Sequence, residues 1–102
     1  MSSLEELNLG YNNLDILPSS LGALSKLKKL DLSNNKLNNI PEYISKLESL
    51  ETLLIDGNKL DHIPDDLQVN HLQIDHKQSI EFKTVFQKLK KKVKIRILNN
   101  TN

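Results

Sequence analysis

Apolar residues along this chain follow neither of the two ordinary periods. In LDLSNNKLNNIP, Leu30 to Pro41, they fall at 30, 32, 37 and 40, with asparagines between them. The alternation of Leu30 and Leu32 predicts a short strand with both side chains on one face. The asparagine-rich stretch that follows predicts a turn, because an asparagine amide can satisfy backbone groups left unpaired in a bend. The whole pattern repeats. Leu4, Leu7, Leu9, Asn12, Leu14, Leu17, Pro18 and Leu21 recur 23 residues later as Leu27, Leu30, Leu32, Asn35, Leu37, Ile40, Pro41 and Ile44. They recur again at the same spacing as Leu50, Leu53, Ile55, Asn58, Leu60, Ile63, Pro64 and Leu67. Proline fixes φ and suits the first position of a short helical turn on the outer side. One unit cannot bury its own leucines, so units must stack, strand beside strand, into a parallel sheet.

A fourth unit starts early, at Val69, where Val69, Leu72 and Ile74 keep the strand pattern after only 19 residues. Its asparagine slot falls on Lys77 and its next leucine slot on Ser79, so the asparagine ladder is expected to end there. Residues 1–78 are therefore read as repeats, with units at 4, 27, 50 and 69. Residues 79–102 are read as a C-terminal cap. Within it, SIEFKTVFQKLKKK predicts one amphipathic helix, with Phe82, Phe86, Leu89 and Val93 on one face and Val85 beside them. Ser79 is the expected N-cap. Glu81 suits the positive helix end, and Lys88 and Lys90 to Lys92 suit the negative end. VKIRIL, from Val93 to Leu98, then alternates like one more strand. At the other end only Met1, Ser2 and Ser3 precede the first repeat, so strand 4–9 is expected to lie open.

These slots resemble the pattern LxxLxLxxNxL of the leucine-rich repeat family over about residues 4–74. With LPxxL or IPxxL following, the units look most like the 23-residue type found in intracellular Ras-pathway scaffolds and some bacterial proteins. The resemblance implies an α/β fold, a short right-handed solenoid with its parallel sheet on the concave face. It also implies a non-enzymatic module that binds a protein partner there.

Composition narrows the chemistry. Apolar residues make up 37% of the chain, and only two tyrosines and two phenylalanines are present, so leucine and isoleucine must build the core. With no cysteine, disulfides and thiolate metal sites are excluded. The first residues, MSSLEELNLG, do not resemble a secretion signal, and a cytoplasmic location is expected. The net charge of +1 hides a division. Residues 1–76 carry six Lys and Arg against twelve Asp and Glu, whereas residues 77–102 carry eight against one.

Residues between the inward leucines of each strand should face the concave surface in columns. The first column is Glu6, Lys29, Thr52 and His71, and the second is Asn8, Asp31, Leu54 and Gln73. Past the strand come Gly10, Ser33, Asp56 and Asp75, then Tyr11, Asn34, Gly57 and His76. Of these, Glu6, Asn8, Tyr11, Lys29, Asp31, Asn34, Thr52, Leu54, Asp56, His71 and Gln73 are the candidate partner contacts. Leu54 stands out as an outward leucine with no core reason, and Tyr11 as an aromatic anchor. His71, Asp75 and His76 with Asp56 have the residue types of a zinc site, but their spacing matches no metal motif. No nucleophile motif or phosphate loop occurs, so neither enzyme nor cofactor is expected. Lys83, Lys88, Lys90, Lys91, Lys92, Lys94 and Arg96 could attract nucleic acid or an anionic membrane. That alternative ranks below protein binding, because no aromatic is free to stack on bases. A purely structural repeat fragment is the remaining alternative. Self-association through the open first strand is a further expectation.

Overall fold

Every repeat begins with a strand in the computed structural model, which describes residues 3–99. The alternating leucines form β1 (Glu6–Asn8), β2 (Lys29–Asp31), β3 (Thr52–Leu54) and β4 (His71–Asp75). A fifth strand, β5 (Lys94–Leu98), completes a parallel sheet whose spatial order is the chain order. Register follows the repeat: Leu7, Leu30, Leu53, Leu72 and Ile95 lie side by side. On the outer side, Pro18 and Pro41 immediately precede 3-10 turns at Ser19–Ala23 and Glu42–Lys46. Each proline is extended (ψ 138° and 149°) and therefore sits one position before the turn, not in its first position. The third repeat, which lost residues here, keeps only a tight turn at Asp65 and Asp66.

The core is the interior of this stack. Leu27, Leu30, Leu32, Leu53, Ile55 and Ile74 are wholly buried. At full burial each is worth about 1.5–3 kcal/mol of transfer free energy. Their counterparts in the first repeat, Leu4, Leu7, Leu9, Leu14 and Leu17, are only partly buried. Stacking explains the difference, since each repeat covers its neighbour and β1 has a described neighbour on one side only.

The asparagines form a buried ladder. The Asn35 amide nitrogen donates to the carbonyls of Leu9 (2.9 Å), Leu32 (3.0 Å) and Ser33 (3.3 Å). Its oxygen accepts from the backbone N–H groups of Asn12 (2.9 Å) and Leu14 (3.0 Å). Asn58 repeats this one coil on, donating to Leu32 and Ile55 and accepting from Leu37 N–H. Asn12 itself is exposed, and among the described residues its side chain makes none of these bonds. The residue before the asparagine slot of each of the first three units is left-handed: Tyr11 (φ 60°), Asn34 (φ 57°) and Gly57 (φ 75°). At Gly57 an added Cβ would also crowd the Asn34 side chain and its Cα, so glycine suits this position.

The expected end of the ladder at Lys77 is corrected by the structure. The fourth unit replaces the left-handed residue with a helix, α1 (His76–Glu81), and the next residue along, Gln78, does the ladder asparagine's work. Gln78 is 1% exposed, and its amide nitrogen donates to Ile55 (2.9 Å) and Asn58 (3.1 Å) carbonyls. Its oxygen accepts from Asp75 N–H, while Asp75 Oδ1 accepts from Gln78 N–H, a reciprocal capping box. Asp75, not Ser79, is thus the N-cap; the Ser79 hydroxyl is inside the helix and bonds back to the His76 carbonyl. The division drawn at residue 78 falls inside α1 for the same reason. The single predicted helix is also two. Phe82 (φ −115°, ψ 34°) leaves helical geometry, and α2 (Lys83–Leu89) follows, which puts Glu81 at the end of α1 and not in a first turn. Phe86, Leu89 and Val93 join the core as the periodicity predicts, with Phe82 and Val85 partly buried against it.

Candidate binding face on the parallel sheet

Parallel in-register pairing turns the predicted columns into rows across the sheet's open face. One row is Glu6, Lys29, Thr52, His71 and Lys94; the next is Asn8, Asp31, Leu54, Gln73 and Arg96. Neighbouring members stand about 4.8 Å apart, so the first and last of five are separated by roughly 19 Å. Glu6, Asn8, Lys29, His71, Lys94 and Arg96 are exposed, and Asp31, Thr52, Leu54 and Gln73 are half-buried. The eight predicted strand positions thus stand in register and are exposed or half-buried. The sequence reading missed Lys94 and Arg96, because VKIRIL was recognised as a strand but not placed in this sheet. The alternation of charge with Ile95 and Ile97 was the available signal.

The third column is different. Asp56, counted among the contacts, is 2% exposed, and Ser33 and Asp75 beside it are also buried. These side chains serve the turns that end the strands. Asp31 Oδ1 accepts from both the N–H (2.9 Å) and the hydroxyl (2.6 Å) of Ser33. Asp56 accepts from Gln73 Nε2 at 3.1 Å. Asp75 Oδ2 accepts from Gly57 N–H at 2.7 Å, standing in for the carbonyls of Ser33 and Asp56 that take Tyr11 and Asn34 N–H in earlier coils. Burial, with lesser help from Asp31 and Asp75, raises the Asp56 carboxyl above its ordinary pKa, against an opposing hydrogen bond from Gln73. Asp56 is therefore a structural acid, not a contact. Of the fourth column, Tyr11 is 80% exposed, His76 is exposed and Asn34 is half-buried. Among the described residues, no three acids or histidines are grouped to hold a metal ion.

A groove of about 350 Å³ crosses β2 to β5. Lys29, Lys94 and Arg96 supply its charge, Thr52, His71 and Gln73 its polar groups, and Leu54, Leu72 and Ile95 its apolar floor. No carboxylate lines it. Among the described residues the only salt bridges are Lys28–Glu5 (3.4 Å) and Lys88–Asp65 (3.5 Å), so the groove cations are unpaired.

Repeats, sheet and ladder together define a protein class. A model of the family described as Leucine rich repeat matches residues 2–60, and a second of the same description matches residues 49–76. The chain belongs to the leucine-rich repeat family. Domains of this family generally mediate protein–protein interaction and are generally not enzymes. No curated protein matches the chain.

Proposed function

We propose that this chain is a non-enzymatic interaction module that binds a protein partner on the open face of its sheet. The observation that carries the reading is the half-buried Leu54 in the middle of that face, between Asp31 and Gln73 in its row. Its neighbours Leu53 and Ile55 are wholly buried, so the core does not need a further leucine there. An apolar centre surrounded by polar and charged residues is the anatomy of a protein interface. On this reading the last helices and β5 act as a cap, whose Phe86, Leu89 and Val93 cover the last repeat. Strand β1, with half-buried leucines behind it, is the edge through which two copies can pair.

The experiment is affinity capture with wild type, Leu54→Asp, and a variant with Lys90, Lys91 and Lys92 changed to glutamine. The captured protein should be lost with Leu54→Asp and retained with the lysine variant. Capture that ignores Leu54 but fails without the three lysines would overturn the reading in favour of polyanion binding.

A further inference from the structure

The charge of the C-terminal segment is divided between two places. Lys88 pairs with Asp65 on the outer side, and neither it nor Lys90 to Lys92 lines the sheet groove. Lys94 and Arg96 are two residues apart on β5, so both project from the open face at its far edge. Lys29 stands in the same row three strands away, about 14 Å across the sheet. Between the cations lie Leu54, Thr52, His71 and Gln73. The groove therefore has positive charge at both ends and an apolar centre, and its own lining holds no acid. The nearest acids, Glu6 beside Lys29 and Asp31 beside Leu54, stand at its β2 end, so the β5 end with Lys94 and Arg96 is the more positive.

We propose that the groove takes an extended acidic segment of a partner protein, which crosses the strands with a carboxylate at each end and an apolar side chain against Leu54. This rests on the open-face reading above and adds the partner's chemistry. The spacing follows from chain geometry. An extended peptide rises about 3.3 Å per residue, so about four residues span from Lys29 to β5. Side chains on alternate residues share one face, so acid, apolar and acid at every second position all point into the groove. Unpaired cations in a concave, partly apolar setting favour such a ligand and reject a basic one. Nucleic acid fits less well: the groove has no Phe, Tyr or Trp on which a base could stack, only the His71 ring, and Lys88 and Lys90 to Lys92 do not line it.

The test uses the full chain and a short fluorescent peptide with glutamate, leucine and glutamate at alternate positions. Its counterpart has lysine for glutamate, and an oligothymidylate serves as a competitor. Binding is read by anisotropy and by amide shifts in NMR spectra. The acidic peptide should bind, shift amides of β3 to β5, and weaken at least about tenfold on combined Lys94→Glu and Arg96→Glu. The lysine peptide should bind only that reversed variant. Both positions are exposed, and circular dichroism checks that the variant is folded. No binding of the acidic peptide would overturn the proposal. So would binding indifferent to the reversal, shifts confined to Lys88 to Lys92, or displacement by the oligonucleotide at equal concentration. If partner capture depends on Leu54 while the peptide fails, the acidic inference falls and the open-face reading stands. If capture ignores Leu54, the broader reading falls, whatever the peptide does.

Discussion

Asn35 serves five backbone groups with one amide; the Leu32 and Ser33 carbonyls also accept from Asn58 and Tyr11, but among the described residues the Leu9 carbonyl and the Asn12 and Leu14 N–H groups have no other partner. Truncating it to alanine leaves several of these desolvated without partners, at about 1–3 kcal/mol for each group that water cannot reach. Asn35→Ala should therefore lose at least about 2 kcal/mol in denaturant melts, whereas Asn12→Ala, exposed at the first coil, should lose under about 0.5 kcal/mol. Equal losses at the two positions would mean that burial does not decide the ladder's worth. Asp56 supplies a prediction of opposite sign. Its folded pKa is raised above the ordinary 3.8, so the folded state binds the proton more tightly than the unfolded chain does. Between the ordinary and the raised value, stability then falls as pH rises, and the cost is fully present above the raised value. Asp56→Asn, which keeps an oxygen for Gln73, should be more stable than wild type at pH 7. The gap should narrow as pH falls through the raised value, and a gap that widens on acidification would refute this account. Sequence separated these two residues poorly. Asn35 declared itself by recurrence, but Asp56 occupies a column whose neighbour columns are exposed. Asp56 lies buried where the strands turn, its carboxyl held by Gln73 of the next strand, a contact that the spacing along the chain does not encode.

At the level of elements, the change from repeat to helix rests on two side chains. Asp75 takes the Gly57 N–H that a carbonyl takes in earlier coils, and Gln78 takes the ladder carbonyl of Ile55. Together they let the chain leave the left-handed turn for α1 without leaving buried groups unpaired. A search for asparagine at one fixed slot ends the ladder at Lys77 and makes Ser79 the N-cap, whereas the ladder runs on to Gln78 and the cap is Asp75. A glutamine one residue later, with a longer arm on a helix, reaches the same carbonyl. Gln78→Ala should cost about 1–3 kcal/mol, and Gln78→Glu more, since a buried carboxylate cannot donate to Ile55 and Asn58. Thermal melts of both variants check the order, and an equal or smaller loss with glutamate would deny the amide's role as donor. The cap assignment predicts its own hierarchy. Phe86→Ala should cost about 3–5 kcal/mol, because the ring is buried in the core. Lys91→Gln should change stability by less than about 0.5 kcal/mol, because an exposed lysine without a partner contributes little. If deleting residues after Ser79 left the repeats folded, the cap assignment would fall.

Across the whole molecule the acidic body and basic tail were legible in sequence as a charge division, but its three-dimensional meaning was not. By charge alone, tail lysines should gather near Asp56, Asp61, Asp65, Asp66 and Asp75. One salt bridge of that kind, Lys88–Asp65, forms among the described residues, and both of its side chains are well exposed. Such a pair is worth about 0–1 kcal/mol, so apolar burial must hold the tail to the repeats. The distribution of that burial sets the last prediction. Leucines behind β2, β3 and β4 are covered on both sides, those of the first repeat are half-open, and Ile97 on β5 is 52% exposed. Local opening is easiest where few apolar contacts must break. In dilute solution, amides of β1 and β5 should therefore exchange with deuterium at least about tenfold faster than those of β3. If two copies pair through their first strands, raising the protein concentration should slow exchange at β1 and leave β5 unchanged. Sedimentation on the same samples would then show a larger species appearing over the same concentration range. A strict monomer whose β1 is as protected as β3 would mean that the first coil is stable without a covering neighbour. Stacking would then not be the source of its stability, and the edge would carry no reason for two copies to meet.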